Sequence, residues 1–449
     1  MSRAEQLPQP LSIWIVNPFD DIPGEGISPL RYWSLARVLA GRGHDVIWWS
    51  ANWSHRRKAR RNVPLSIREE EGFAVRLVAV RPYEKNISLA RLNSHRDFGR
   101  TFERLATESI ASGQLERPDI ILTSLPPLEG PEAAARLAQR LDALLVVDVM
   151  DVWPETFERL VPGPTWLRKI IAPFFLGGME RRRDQIIAAA DAISAASPKY
   201  LDSVLRGQAT DKPTHVCPLG AYLQEYAEPP RLTPLEAEVA PAAPADTAKP
   251  ADAAKQADAA QPVPEKPLVC VYSGALEGGQ DVETAIAAAR QLCSAGVAAE
   301  IHIAGGGSQV EKLRTAAAAI RGSCRVVVHG LLDRAQHGRL LADADVGLVL
   351  VKPESLVSIP YKACEYAAAG LAIINSLPGE LAELLADFSA GLTYTAGDAG
   401  ALARAITTLA QNRRLTGECR LGARRLAEAE FDREKLYPQF ARWLEQLPE

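Results

Sequence analysis

The six cysteines, Cys217, Cys270, Cys293, Cys324, Cys364 and Cys419, lie far apart with no C-x-x-C among them. That spacing excludes a zinc cage or a disulfide framework as the organising feature and points to small core residues in a reducing compartment. The seven histidines show no H-x-x-x-H or similar pairing, so no structural metal is expected. No apolar run reaches the ~18 residues that a membrane span requires. The opening MSRAEQLPQPLS has no uninterrupted apolar core of the signal-peptide kind, and a cytoplasmic location is the expectation. A G-x-G-x-x-G fingerprint is also missing, which disfavours a nicotinamide oxidoreductase. Excess charge is small. The formal net charge is −4, and the stretch 228–267 carries −3 of it, from seven acids and four bases. A body this close to neutral has no chain-wide basic field for wrapping nucleic acid.

What is present is apolar content of 47% in 449 residues, too much chain for one core. Composition divides it at Glu228 to Pro267, where alanine and proline fill 21 of 40 positions and aromatics are absent. Such a stretch buries too little to offset its ordering entropy and is expected to be an extended linker. On each side, short apolar runs alternate with amphipathic stretches. SIWIVN (12–17), VIWWS (46–50), AVRLVAV (74–80), DIILT (119–123), ALLVVDV (143–149) and DAISA (191–195) precede the linker. LVCVYS (268–273), IHIAG (301–305), RVVVHG (325–330), VGLVLV (346–351) and LAIIN (371–375) follow it. This pattern predicts two tandem Rossmann-like α/β domains, each a parallel sheet covered on both faces, facing across a cleft. Asp281 is placed as a helix cap, and Ser308 with Glu311 as a capping box.

Four places could carry chemistry. In PGEGIS (23–28), Gly24 and Gly26 let a turn after the first strand approach a ligand, or form a plain turn. In VVDVMDVWPE (146–155), Asp148 and Asp151 stand where a strand meets its loop, as a base, a sugar-hydroxyl acceptor or a helix cap. In VKPESLVSIPYKACEYAAAG (351–370), Lys362 and Glu365 share one face of a helix that is otherwise small and apolar. An i, i+3 pair of this kind is commonly a solvated surface pair. On a packed helix it needs a partner, and a nucleotide supplies one, since carboxylates accept from ribose hydroxyls and lysine neutralises phosphate. The fourth place is basic: Arg56, Arg57 and Lys58 in WSHRRKARR, with Arg91, His95, Arg96 and Arg100 further on. The run reads as a solvated loop or as a surface for anionic lipid headgroups or a lipid pyrophosphate. In TWLRKIIAPFFLGGMERRR (165–183), aromatic and basic residues alternate as in a segment lying in a membrane interface, with core packing an equal reading. Seven of the eight tryptophans fall in the first 166 residues, consistent with a sugar- or membrane-facing first domain.

The stretch IPYKACEYAAAGLAIINSLPGE resembles the donor-binding segment of the retaining glycosyltransferases of family four, which have the GT-B fold. Arg42 to Val46, VYSGALEGGQDVETAIAAA (271–289), IHIAGGG (301–307), LLADADVGLVLV (340–351) and Asp151–Trp153–Pro154 match in order, with the closest likeness to bacterial members that build surface and exopolysaccharides. The resemblance implies a hexosyltransferase that takes sugar from a nucleotide donor, UDP-linked, without metal or cofactor, and passes it with retention to a lipid-linked saccharide. It implies an acceptor-side domain at 1–227, the linker at 228–267, a donor domain at 268–430 and a returning helix at 431–449. Donor contacts fall on Gly24, Gly26, Gly274, Lys362 and Glu365, with Lys352 as a substitute diphosphate ligand. Asp151 is assigned to orient the acceptor hydroxyl or the sugar, and Arg56, Arg57, Lys58, His95 and Arg96 to the acceptor or membrane side. Peripheral attachment to the inner face of the membrane is expected, and no nucleic-acid partner. The sequence departs from the family at Val357, where a glutamate is usual, and at Gly274-Ala275…Gly278-Gly279, which lacks the diphosphate Arg and Lys. A GT-B epimerase or phosphorylase, or a silent GT-B scaffold, are the rival readings.

Overall fold

The computed structural model describes residues 9–25, 29–61, 66–68, 71–160, 165–207, 209–226, 266–277 and 279–448. Gly26, Gly278 and nearly all of the 228–267 segment lie outside the described residues. The chain divides into two units. One runs to Tyr222 and adds Glu354–Tyr361 and the last helix, and the other takes Leu223–Pro353 and Lys362–Ala429.

The first unit is built on strands β1 (Ser12–Val16), β2 (Asp45–Ala51), β5 (Ser66–Arg68), β6 (Ala74–Val78), β7 (Ile120–Leu125), β8 (Leu144–Val149), β9 (Ala192–Ala195) and β10 (Thr214–Val216). They form one sheet in the order β10-β9-β8-β7-β1-β2-β6-β5. Every described pairing is parallel except β5 with β6. A small hairpin, β3 (Trp53–Ser54) with β4 (Ala59–Arg60), follows β2. Helices α1 (Arg31–Gly41), α2 (Leu89–Ala111), α3 (Glu129–Leu141), α4 (Thr165–Ala189) and α5 (Pro198–Leu205) connect the strands. The central strands read as apolar runs because both their faces are buried: alternate residues enter two separate cores. Trp14, Trp48 and Trp49 are among the largest fully buried side chains, and Trp53 and Trp153 are buried too. The tryptophan enrichment therefore marks core packing, which corrects the sugar- or membrane-facing reading of those residues.

An ion pair locks this sheet to its neighbours. Arg31, at the first turn of α1, and Asp148, on β8, are both fully buried, with Nε and Nη2 donating to the carboxylate at 2.7 and 3.0 Å. Tyr32 and Ser194 hydroxyls donate to the same carboxylate, each at 2.7 Å. Arg31 also donates to the Cys217 carbonyl at 2.7 Å. Burial pushes the Asp148 carboxyl up, but Arg31 and the hydroxyls outweigh it and hold the acid below its ordinary range. With its oxygens taken by four donors, Asp148 is a structural anchor; the functional reading of that aspartate is set aside.

In the second unit β11 (Leu268–Ser273), β12 (Ala299–Ala304), β13 (Cys324–Gly330), β14 (Val346–Val349), β15 (Ala372–Asn375) and β16 (Gly391–Thr393) form a parallel sheet in the order β13-β12-β11-β14-β15-β16. Its helices are α6 (Val282–Ser294), α7 (Val310–Ala318), α8 (Arg334–Ala342), α9 (Tyr361–Ala368), α10 (Glu380–Asp387), α11 (Ala399–Gln411) and α12 (Arg413–Leu426). Two parallel-sheet α/β units thus match the predicted fold class. Asp281 does precede α6, but its carboxylate accepts from Thr284 Oγ1 at 2.7 Å and Gly397 N–H at 3.0 Å. The capping box at Ser308 does not form: the Ser308 hydroxyl donates to Glu277 at 2.9 Å, and Gln309 stands at the N-cap of α7. The chain's last helix, α13 (Arg433–Glu445), belongs to the first unit, where Tyr437 and Phe440 join the core with α1. Glu354–Tyr361 belongs there as well. The Ser358 N–H donates to the Tyr200 hydroxyl at 3.1 Å, and the Arg31 N–H to the Tyr361 hydroxyl at 3.2 Å.

Candidate active site

Parallel α/β sheets present ligand sites at the carboxyl ends of their strands, where turns expose backbone N–H groups. In the second unit this crest is made of glycine. Gly274, after β11, has φ +148°, and a Cβ on Gly305, after β12, would fall 1.7 Å from the Gly274 carbonyl oxygen. The two turns touch backbone to backbone, joined by the Gly274 N–H to the Ala304 carbonyl at 3.0 Å and Leu276 N–H to Gly306 at 2.9 Å. Only glycine permits that approach.

Lys362 reaches over this turn from α9. Its Nζ lies 3.3 Å from Gln280 Oε1, 4.0 Å from the Tyr272 ring centroid, and 2.8 Å from the point a Gly274 Cβ would occupy. The helix is seated for this task. Ala363, Cys364, Tyr366, Ala367 and Ala368 are buried, the Tyr366 ring lies on Gly347 of β14, and its hydroxyl accepts the Ser273 N–H at 2.7 Å. Burial pushes the Lys362 ammonium down to about 7, partly opposed by the charge of Glu365 one turn on. Two motifs some ninety positions apart, Gly274 and Lys362, therefore meet at one point, with Glu365 half-buried on the same helix face. Gln280 and Tyr272, which flank the ammonium, were not singled out by sequence reasoning; a lone glutamine six residues past a glycine turn carries no spacing signal. Lys352 follows Val351, which bridges to Gln280, and its charge helps to hold Glu283 below its ordinary range, after the larger effect of Lys312.

In the first unit, Gly24 has φ +84° and open space where a side chain would stand. The loop around it is acidic and pinned by the basic run. Arg56 Nη1 is 3.6 Å from Asp21, Arg57 donates to the Glu25 carbonyl, and Arg61 reaches the Asp20 carbonyl at 2.7 Å. The run is largely exposed at Arg56, Arg57 and Arg60, as a solvated loop would be, while Arg61 is buried and Arg57 also reaches a protein carbonyl. Lys58 donates to Asn86 Oδ1 at 2.5 Å and sits 4.9 Å from the Tyr83 ring centroid. His95 is 3% exposed, whereas Arg96 is exposed and donates weakly to Asn93. Asp151 is half-buried past the end of β8; its carboxylate accepts the Val152 N–H at 2.8 Å and approaches Thr156 Oγ1 at 3.4 Å. On α4, Phe174 and Phe175 are strongly exposed, while Ile171 packs beside Ala172 and Leu176. The side chains of Trp166, Arg168, Lys169 and Ile170 lie outside the described residues. No helix among the described residues is long and apolar enough to cross a membrane.

Two imidazoles here are kept neutral. Burial, reinforced by Arg91, pushes His55 and His95 down to about 3. Unfolded, each titrates near 6.5, so the stability that the neutral rings provide is complete above pH 6.5 and is lost as the pH falls toward 3. Asp20, pushed up to about 6 by burial, and Asp21, raised in the same way, work in the opposite sense, two carboxyls against four rings, since burial lowers His215 and His329 as well. The melting temperature is expected to drop between pH 7 and pH 5, and His95→Asn to flatten that slope. A melting curve that holds or rises on acidification contradicts this.

Comparisons with known proteins agree with this architecture. The glycosyl transferase 4-like domain profile matches residues 30–220, and the glycosyl transferases group 1 profile matches residues 254–425. No curated protein matches the chain by sequence. Among solved structures, sucrose-phosphate synthase from Thermosynechococcus elongatus superposes with a TM-score of 0.69 at 16% identity, over 97% of this chain and 99% of that one. HepE from Anabaena, solved with UDP and glucose, gives 0.61 at 14% identity over 97% and 99%. WaaG, a glycosyltransferase involved in lipopolysaccharide biosynthesis, gives 0.61 at 14% identity over 96% and 98%. With a 4-like domain ahead of a group 1 domain, together spanning most of its length, the chain belongs to the GT-B glycosyltransferases.

Proposed function

We propose that this glycosyltransferase takes a sugar from a nucleotide donor and passes it, with retention and without metal, to a lipid-linked saccharide during surface polysaccharide assembly at the inner face of the membrane. The observation that carries the donor half is the Lys362 ammonium poised over the Gly274 turn, with Glu365 on the same helix face. An ammonium that burial has pushed down to about 7 gains most from a dianionic neighbour, and a leaving diphosphate is one. Glu365 is suited to accept from ribose hydroxyls. UDP is the favoured carrier, by analogy with HepE, whose structure holds it. Residues 268–430 are assigned to the donor, 1–227 to the acceptor, 228–267 to the connection and 431–449 to the returning helix. The exposed Phe174 and Phe175 support the membrane-facing role of the first unit.

In this reading catalysis comes from fixed donors at the departing diphosphate more than from a strong base. Asp151, at the crest of the first unit, orients the acceptor hydroxyl. Asp151→Asn is expected to lower kcat about 100-fold, leaving the donor KM within a factor of two or so. Unchanged transfer would remove Asp151 from the reaction. The test of the whole reading is product analysis by NMR with a nucleotide sugar and a lipid-linked acceptor. A new glycoside with the donor's anomeric configuration supports it; an epimerised donor, a free sugar or an inverted product refutes it.

A further inference from the structure

At the crest of the first unit, four segments that follow strands converge with the start of α2. Phe19 comes after β1, His55 after β2, Tyr83 after β6 and Trp153 after β8, and Arg91 stands in the first turn of α2. The Arg91 guanidinium lies 5.2 Å from the Phe19 ring centroid and 5.8 Å from that of Trp153. Its Nη1 donates to the Asn86 carbonyl at 2.7 Å and its Nε to His95 Nε2 at 3.3 Å. Among the described residues, no carboxylate stands within ion-pair distance of it. Asp151 acts on it only as a more distant charge.

A second cation shares the site. Lys58 donates to the side chain of Asn86, whose carbonyl takes Arg91, and approaches His55 Nδ1 at 3.4 Å. Two like charges on one asparagine would both attract an anion bound beside them. The imidazole beside them is an unused donor. Because His95 Nε2 accepts from Arg91, the neutral ring carries its proton on Nδ1, and that buried atom has no hydrogen-bond partner among the described residues; Glu129 Oε2 is 3.8 Å away. His95 lines a small cavity with Phe19, Tyr83 and Trp53. Burial, uncompensated by an adjacent acid, pushes Arg91 below its ordinary range.

We propose that Arg91, beside the rings of Phe19 and Trp153 and assisted by Lys58, recognises an anionic group, phosphate or carboxylate, on the glycosyl acceptor. This rests on the reading of the first unit as the acceptor side and adds the acceptor's chemical class to it. A guanidinium beside two rings, with Nη2 making no hydrogen bond among the described residues, suits a two-oxygen anion, which it can meet with paired N–H donors. Phosphate would come from a lipid diphosphate and carboxylate from a uronic acid.

Ligand-observed NMR on the full chain separates these sources, using farnesyl diphosphate, methyl β-glucuronide and the uncharged methyl β-glucoside. At least one anionic probe is expected to bind the wild type more tightly than the glucoside, raise its melting temperature, and weaken about tenfold or more in Arg91→Gln. Arg91→Lys should lose less. Arg104→Gln, an exposed change on the same helix at a residue paired with Glu108, should lose nothing. Whichever probe binds names the source. If neither anion binds the wild type above the glucoside, or if Arg91→Gln binds both as well as the wild type, the assignment is wrong. Should Arg91→Gln fail to fold, the wild-type comparison and Arg91→Lys still decide. UDP binding is run alongside: its absence from the wild type would sink the donor reading alone, and its retention in a folded Arg91→Gln keeps the two questions apart.

Discussion

Replacing Asp148 with Asn, or Arg31 with Met, is expected to destabilise the protein by about 3–5 kcal/mol, the scale at which a buried pair is broken by losing one member. The reason is the company the pair keeps. Arg31 is fully buried, donates to Cys217 as well as to Asp148, and lies 5.3 Å from the Phe440 ring centroid. Removing the carboxylate charge leaves a guanidinium without compensation in the middle of the first unit. Removing the guanidinium leaves a carboxylate held only by two hydroxyls. The double replacement Arg31→Met with Asp148→Leu should recover much of the loss, since a matched apolar pair carries no unpaired charge. Chemical denaturation of the three variants checks this. Single variants within about 1 kcal/mol of the wild type would show that the pair is not the anchor described.

Lys362→Met is the second large effect. The substitution removes an ammonium whose charge burial already disfavours, so the variant is expected to melt no lower than the wild type. Nucleotide-diphosphate affinity should nevertheless fall about 30- to 100-fold, the worth of a charge-assisted contact of ~2–3 kcal/mol. Its pH dependence identifies the group. In the free protein Lys362 loses its proton through a pH of about 7. A bound diphosphate raises that value, so binding takes up a proton above pH 7, and affinity declines by up to about tenfold per pH unit on the alkaline side. Calorimetry in two buffers of different ionisation enthalpy measures the uptake. An affinity that does not change between pH 7 and pH 9, or that changes equally in Lys362→Met, removes Lys362 from the donor site.

Local features of the fold were readable from sequence. Strands buried on both faces must be apolar throughout, so VVDV, VGLVLV and LAIIN announce themselves, and the observed strands differ from the predicted runs by no more than two residues at either end. Gly274 was readable as a turn and Lys362 with Glu365 as one helix face, because both are properties of neighbouring residues. Long-range partners were not. Nothing near Asp148 in sequence says that Arg31 will meet it, and so the two aspartates of one loop looked alike although one is an anchor and the other is half-buried at the crest. In the basic run 56–61, the burial of Arg61 was likewise hidden, because Glu25, the acid that receives it, lies more than thirty positions earlier. Ser308 with Glu311 had the spacing of a capping box, but Glu277 competes for the serine from another turn. Arg91 stood as one base among several in a basic stretch, since its defining trait, two neighbouring rings and no paired acid among the described residues, exists only after folding.

Donor recognition by the second unit is tested most directly by thermal shift of the full chain against a panel of nucleotide sugars, with Lys362→Met in parallel. A ligand that binds only the folded state raises its apparent stability. One donor should shift the wild type, the others should not, and that shift should vanish in Lys362→Met. No shift with any nucleotide sugar, or the same shift in both proteins, would contradict a donor site built on Lys362 and Gly274.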